Sequence, residues 1–344
     1  MKAVTIHENG GPEVVRVEEI AEPKPSRGEV VVEVKAAGLN HLDIWVRKGR
    51  PGARVDAPHV LGSDAAGLVA ELGEGVDTVA VGDEVSINPG VECGKCEYCL
   101  RGQQSECLSF GILGFTRAGT FAERVAVPAV NLQPKPSHLD FKQTAALPLS
   151  HLTAWRMLFS RARLVPGETV LIHGIGGGVA LAGLQLAKGV GAEVIVTSSS
   201  DEKLERAVSL GADHAINYRH SDVAEKVRHL TSDRGVDIVL DAVGASTWPI
   251  NFKAVRKGGQ IVHCGITTGK TVEANIQALY WNQLTVMGST MGTHEEFRKL
   301  LEAVGNTVLE PVVDSVEPLD RAVEAMGRME AGKQFGKIVL AVAD

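Results

Sequence analysis

Aromatic residues make up only 4% of this 344-residue chain, and no cluster of Lys and Arg and no long apolar segment interrupts it. Scarce aromatics leave no stacking platform for nucleobases. A net charge of −7 with a pI near 5.9 excludes a basic surface for nucleic acid or an anionic membrane. No signal peptide is recognisable, because Met1 leads straight into the strand-like KAVTIHENG, so the expected compartment is reducing and the expected location cytoplasmic. With nucleic acid and membrane set aside, the expected partner is a small-molecule substrate. What remains is ordinary globular material, 44% hydrophobic and 22% charged, long enough for roughly two domains.

Cysteine is also scarce, yet four of the five fall in one stretch, Cys93, Cys96, Cys99 and Cys107. The spacing C-x2-C-x2-C-x7-C turns each thiolate back toward a common centre, and zinc is the natural occupant. Four protein ligands leave no open coordination position, so the expected site is structural, with one zinc per chain. A reducing compartment argues against disulfides. The fifth cysteine, Cys264, sits in the apolar run GGQIVHCG and reads first as a buried strand residue.

The hydrophobic period changes near residue 150. Before it, short strands and turns dominate: Glu29 to Ala37 places Val30, Val32, Val34 and Ala36 on one face, and Gly62–Leu72 and Val85–Ile87 are further strands. From His151 to Gly288 strands and helices alternate, through ETVLIHG, AEVIVTS, DHAIN, VDIVLDAVG, GGQIVHCG and LTVMGS. Six such strands with helices between them predict a doubly wound parallel sheet beside a β-rich domain, an α/β fold. Two amphipathic helices and a last strand, GKIVLAV, follow Met291.

The first turn of the α/β half carries a nucleotide signal. The strand Thr169–His173 runs into Gly174-Ile-Gly176-Gly177-Gly178-Val179-Ala180 and then a helix, whose N-terminal amides suit a pyrophosphate. About twenty residues on, where a carboxylate would accept from an NAD ribose, the chain has Thr197-Ser198-Ser199-Ser200. Hydroxyls do not repel a 2′-phosphate, and Lys203 and Tyr218 are placed to approach one, so NADP(H) is favoured over NAD(H). Asp201 keeps NAD open, although such an aspartate also serves as a helix N-cap.

Together these features resemble the medium-chain dehydrogenase/reductase superfamily, in its zinc-containing alcohol dehydrogenase and quinone oxidoreductase branch. The resemblance implies a GroES-like catalytic domain of residues 1–150 and 289–344, carrying the 93–107 lobe, and a Rossmann coenzyme domain of residues 151–288. It also implies the coenzyme contacts: His41 at the pyrophosphate, Thr153 beside the nicotinamide, Gly177, Gly178 and Val179 in the turn, Ser198, Lys203 and Tyr218 at the ribose, and Val243, Cys264, Gly265 and Ile266 along the later strand ends.

The chain departs from the alcohol dehydrogenases where they keep a catalytic zinc. Asn40 replaces a cysteine, Ser63-Asp64 a His-Glu pair and Leu149 a second cysteine, while Leu42 and Trp45 stand at the proton-relay positions. One carboxylate does not hold zinc. Without a metal to acidify an alcohol, the expected reaction resembles that of the quinone oxidoreductases and enoyl reductases: hydride delivered to a quinone or an α,β-unsaturated carbonyl, either an enone or an enoyl thioester. Asn40 then becomes a candidate donor to the substrate carbonyl, His151 a candidate proton or hydrogen-bond donor, and Asp64 a further candidate. Two alternatives stay open: an NAD-dependent alcohol dehydrogenase with a metal held by His41, Asp64 or His151, and a non-catalytic NADPH-binding protein like the crystallins. The apolar strand Leu284–Ser289, preceded by Leu279-Tyr-Trp281, predicts a homodimer, or a tetramer of dimers, through an uncovered sheet edge.

Overall fold

The structure is a computed structural model that describes residues 1–49 and 57–342. The chain divides into two compact units, Met1–Leu152 with Met291–Asp344, and Thr153–Thr290. The expected junctions lay at residues 150 and 289. Among the described residues no helix is long and apolar enough to cross a membrane.

The first unit is built on a mainly antiparallel sheet in the order Leu132–Pro134, Glu84–Ile87, Asp64–Leu72, Glu29–Gly38, Lys337–Ala341 and Val313–Pro318, with Arg124–Pro128 also paired to Glu29–Gly38. The Glu29–Gly38 strand does not keep one apolar face. Its register with Asp64–Leu72 shifts between Val34 and Ala36. Val30, Val32, Val34 and Ala37 therefore share the main core, while Ala36 joins a separate cluster with Ala66, Ala145, Ala146 and Val339. A bulge reverses the alternation beyond it, which corrects the expectation that Ala36 would follow the valines. The return through Lys337–Ala341 brings the end of the chain beside Ala36, Ala37 and Gly38.

The second unit holds a parallel sheet of six strands among the described residues. Their order is His214–Asn217, Glu193–Ser198, Thr169–Ile172, Val236–Asp241, Val255–His263 and Thr285–Gly288. The first strand in sequence thus lies third, between the second and the fourth. That order is the Rossmann arrangement, with its ligand crevice at the carboxyl ends of the strands where the winding reverses. Thr169–Ile172 and Val236–Asp241 are buried along their whole length, as parallel strands covered on both faces must be. Their apolar runs made them readable in the sequence. Two of the helices between them are amphipathic and capped by side chains: Ser200 accepts from the Lys203 N–H at the start of Asp201–Ser209, and Asp222 accepts from the Glu225 N–H at the start of Val223–Leu230.

Candidate functional site

The four clustered cysteines come together. Their Sγ atoms lie within 4.8 Å of one another, the one group of three or more such ligands among the described residues. Cys96 and Cys99 Sγ are 3.5 Å apart and Cys93 and Cys99 Sγ 4.0 Å, near the ~3.8 Å edge of a tetrahedron with Zn–S bonds of about 2.3 Å. The electrostatics fit a cation as well. Backbone N–H groups of Lys95 and Cys96 lower the Cys93 thiol, and those of Cys99 and Leu108 lower Cys96 to about 6. Cys99 is pushed the other way, to about 12, by desolvation and by the neighbouring Cys96 and Cys107 thiols. Four thiolates do not share this volume without a positive ion between them. The donor set therefore fits zinc.

In the second unit the glycine-rich turn occupies the end of Thr169–Ile172 and opens the helix Gly178–Gly189. Gly176 has φ +109°, and a Cβ there would meet the Lys203 side chain at 2.9 Å. That backbone conformation favours glycine. Lys203 thus lies against the turn, and Tyr218, half exposed, follows directly on His214–Asn217. The N-cap of the next helix is Ser200, not Asp201; the Asp201 carboxylate instead accepts from Asn217 Nδ2 at 2.6 Å. Ser198 is buried and its hydroxyl accepts from the Ser200 N–H at 3.2 Å.

Val243, Cys264, Gly265 and Ile266 line two further turns at the same carboxyl end of the sheet. Val243 N–H donates to Asp241 Oδ1 at 2.7 Å, and Cys264 N–H donates to Asp241 O at 3.0 Å. Cys264 is half-buried and lies one residue beyond the strand Val255–His263, which corrects its reading as a buried strand residue. Gly265 permits the crossing, since a Cβ there would stand 2.0 Å from Ala242 O. Thr153, the first residue of this unit, is buried.

In the first unit the residues at the expected zinc-ligand positions converge, but on a carboxylate. Asp64 is fully buried at the start of Asp64–Leu72. Its Oδ2 accepts from Lys337 Nζ at 2.9 Å and from Asn40 Nδ2 at 2.9 Å, and its Oδ1 accepts from the Leu149 N–H at 2.8 Å. Lys337, 3% exposed, also donates to Asn40 Oδ1 and Leu39 O, each at 2.7 Å. All three ammonium protons are engaged. Asn40 spends its second amide proton on Gly38 O at 3.4 Å. The Asn40 amide therefore points into this cluster.

Asp43 completes the cluster. Its Oδ2 accepts from the Asn40 N–H at 2.7 Å, at the start of the helix His41–Arg47. Burial pushes the Asp43 carboxyl up to about 7, against the pull of the Asn40 N–H and the Lys337 ammonium. On the same helix, His41 has its imidazole lowered by burial and by Lys337, and its ring lies 6.3 Å from that of Trp45. His151 is buried in the helix Pro148–Trp155, with Nδ1 3.2 Å from Ser150 Oγ. Neither histidine joins Asp64 in a group of three or more such ligands among the described residues.

Sequence reasoning gave Lys337 no role. Its one signal was a lysine opening an apolar strand, the pattern of a charge buried with a partner.

Comparison with known proteins agrees with both units. The alcohol dehydrogenase GroES-like domain matches residues 26–137, and the zinc-binding dehydrogenase family matches residues 178–306. A zinc-type alcohol dehydrogenase-like protein of Schizosaccharomyces pombe is 33% identical over 99% of this chain and 99% of its own. Quinone oxidoreductase of Rattus norvegicus is 28% identical over 99% of this chain and 97% of its own. A crystal structure of an NAD-dependent alcohol dehydrogenase matches at a TM-score of 0.95 with 44% identity, covering 100% of both chains. The chain belongs to the medium-chain dehydrogenase/reductase superfamily, and it is an NAD(P)-dependent oxidoreductase of the alcohol dehydrogenase-like and quinone oxidoreductase kind.

Proposed function

We propose that this protein reduces quinones or α,β-unsaturated carbonyls, enones or enoyl thioesters, with NADPH, and that its zinc serves only the cysteine lobe. The observation that carries this reading is the Asp64 carboxylate. It is held by Lys337, Asn40 and the Leu149 N–H where the alcohol dehydrogenases are expected to bind a catalytic metal. Oxidising a simple alcohol near neutral pH needs an acidified hydroxyl. An ammonium whose three protons are all bonded to protein does not provide that. An acceptor already polarised by conjugation makes no such demand.

When bound, the dihydronicotinamide supplies the hydride. The chain's own residues bind and orient it. Gly177, Gly178 and Val179 present the helix N-terminus to the pyrophosphate. Ser198, Lys203 and Tyr218 receive the adenosine ribose, and Thr153, Val243, Cys264, Gly265 and Ile266 flank the nicotinamide. The preference for NADPH rests on Lys203 lying against Gly176 and on Asp201 being held by Asn217. One oxygen of the Asp201 carboxylate is thereby taken by Asn217 Nδ2 rather than left for a ribose hydroxyl. Hydride addition at the β-carbon leaves an enolate that needs a proton at its α-carbon, from water or from His151. Asn40, Asp43 and Asp64 hold the floor of the catalytic unit rather than touch substrate.

A second reading, NAD-dependent alcohol oxidation, is favoured by the 44% identical structure named for that activity. A panel of acceptors and alcohols with both coenzymes separates the two. Turnover of enones or quinones with NADPH supports the first reading, and alcohol-dependent reduction of NAD⁺ supports the second.

A homodimer, or a tetramer of dimers, formed through the Thr285–Gly288 edge is part of the same proposal. It is supported by the exposed Val286 on that edge strand and by Tyr280 and Trp281, which are 62% and 68% exposed just before it.

A further inference from the structure

Beneath the carboxyl ends of the second unit's strands runs a continuous chain of buried hydrogen bonds that the coenzyme assignment does not use. Thr197, His173, Asn251 and Asp241 are each at most 2% exposed. Gly174 N–H lies 3.4 Å from Thr197 Oγ1, which lies 3.2 Å from His173 Nδ1. His173 Nε2 lies 2.9 Å from Asn251 Oδ1, and Asn251 Nδ2 donates to Asp241 Oδ2 at 2.6 Å. Asp241 also accepts from Thr247 Oγ1 at 2.7 Å, and through Oδ1 from the N–H groups of Val243 at 2.7 Å and Gly244 at 3.3 Å.

The direction of every link is fixed from the carboxylate end. Asp241 only accepts, so Asn251 presents its amide protons there and its carbonyl to His173. His173 must then carry its proton on Nε2 and accept at Nδ1 from the Thr197 hydroxyl. That hydroxyl is left to accept from the Gly174 N–H. The imidazole is neutral in this arrangement, in keeping with the burial that lowers its pKa. The two ends of the chain are two backbone turns, the glycine-rich turn at Gly174 and the turn at Val243–Gly244. Apolar side chains would fill the same space. They would not tie one turn to the other.

We propose that Thr197, His173, Asn251 and Asp241 are positioning residues that set the separation of these two turns, so that the pyrophosphate and the nicotinamide of one coenzyme are gripped together. The inference rests on the reading that the turns hold a nicotinamide dinucleotide. It predicts that breaking the chain impairs the whole coenzyme and spares its adenosine half, because each turn alone keeps its own shape.

The test compares binding of NADPH and of 2′-phospho-ADP-ribose, which lacks the nicotinamide, to the zinc-loaded full-length protein, with thermal unfolding recorded in parallel. Asn251→Leu is expected to weaken NADPH about tenfold, within the usual range of coupling between sites, and to change 2′-phospho-ADP-ribose by less than about twofold. His173→Gln is expected to retain NADPH affinity, since its amide N–H reaches toward the same Asn251 oxygen. Where Asn251→Leu does not fold, Thr197→Val, a near-isosteric break at the glycine end, is expected to show the same split. Unchanged NADPH affinity in folded Asn251→Leu or Thr197→Val, or equal loss of both ligands, overturns the proposal. Failure of the unsubstituted protein to bind either NADPH or NADH would instead overturn the coenzyme reading beneath it.

Discussion

Replacing Lys337 with methionine removes the cation bonded to the fully buried Asp64 carboxylate and keeps most of the side-chain volume. Asp64 would retain the Asn40 amide and the Leu149 N–H, at 2.9 and 2.8 Å, but both are neutral donors. Asn40 Oδ1 and Leu39 O would each lose a donor 2.7 Å away. Breaking a buried ion pair from one side costs about 3–5 kcal/mol, because the surviving charge stays out of water. For a unit of this size that is a fall in the unfolding midpoint on the order of 10 °C. Calorimetry at neutral pH resolves it. Adding Asp64→Asn to Lys337→Met removes the stranded charge and should recover more than about 1 kcal/mol of the loss, a coupling expected of residues in direct contact. A single variant within about 2 °C of the unsubstituted protein, or a double variant no better than the single, would refute the reasoning.

Lys203→Ala should weaken NADPH binding by about 1–3 kcal/mol, the scale of a charge-assisted hydrogen bond, and leave NADH binding almost unchanged; equal loss of both in a fluorescence titration counts against Lys203 as the 2′-phosphate contact. The Asp43 carboxyl is raised in the fold, to about 7. Its protonated form is the stable one, so its contribution is complete below pH ~4 and is lost as pH rises toward 7, at most roughly 4 kcal/mol. Asp43→Asn should flatten that fall in denaturant midpoints between pH 4 and pH 7, and an identical pH profile in the two proteins would contradict it. Sedimentation at micromolar concentration should give the mass of a dimer or a tetramer, and a monomer would remove the proposed pairing at Thr285–Gly288.

The cysteine lobe was legible because its chemistry is local: the four ligands lie within one short stretch, and spacing alone brings the thiolates together. The coenzyme unit was legible because strands buried on both faces read as apolar runs, and a glycine-rich turn set between strand and helix is the form a pyrophosphate requires. The polar cluster was not. Lys337 reaches Asp64 across 273 residues of sequence, and no local pattern records that pairing. The contacts of the Asn40 amide with Asp64 and Lys337 were hidden for the same reason. The buried chain from Gly174 to Asp241 likewise depends on strands that meet only in the sheet. Ala36 was assigned to the wrong face because a bulge is invisible to a strict two-residue period.

The central claim, hydride transfer from NADPH to a conjugated acceptor with zinc only in the cysteine lobe, is tested most directly by one steady-state experiment on a preparation whose zinc content is measured. Elemental analysis should give one zinc per chain, matching the four thiolates and the absence of a second ligand group among the described residues. In that preparation NADPH should be oxidised by a quinone, an enone or an enoyl thioester much faster than NADP⁺ or NAD⁺ is reduced by ethanol or benzyl alcohol. Two zincs per chain together with robust alcohol oxidation would contradict the account, as would a clear preference for NADH.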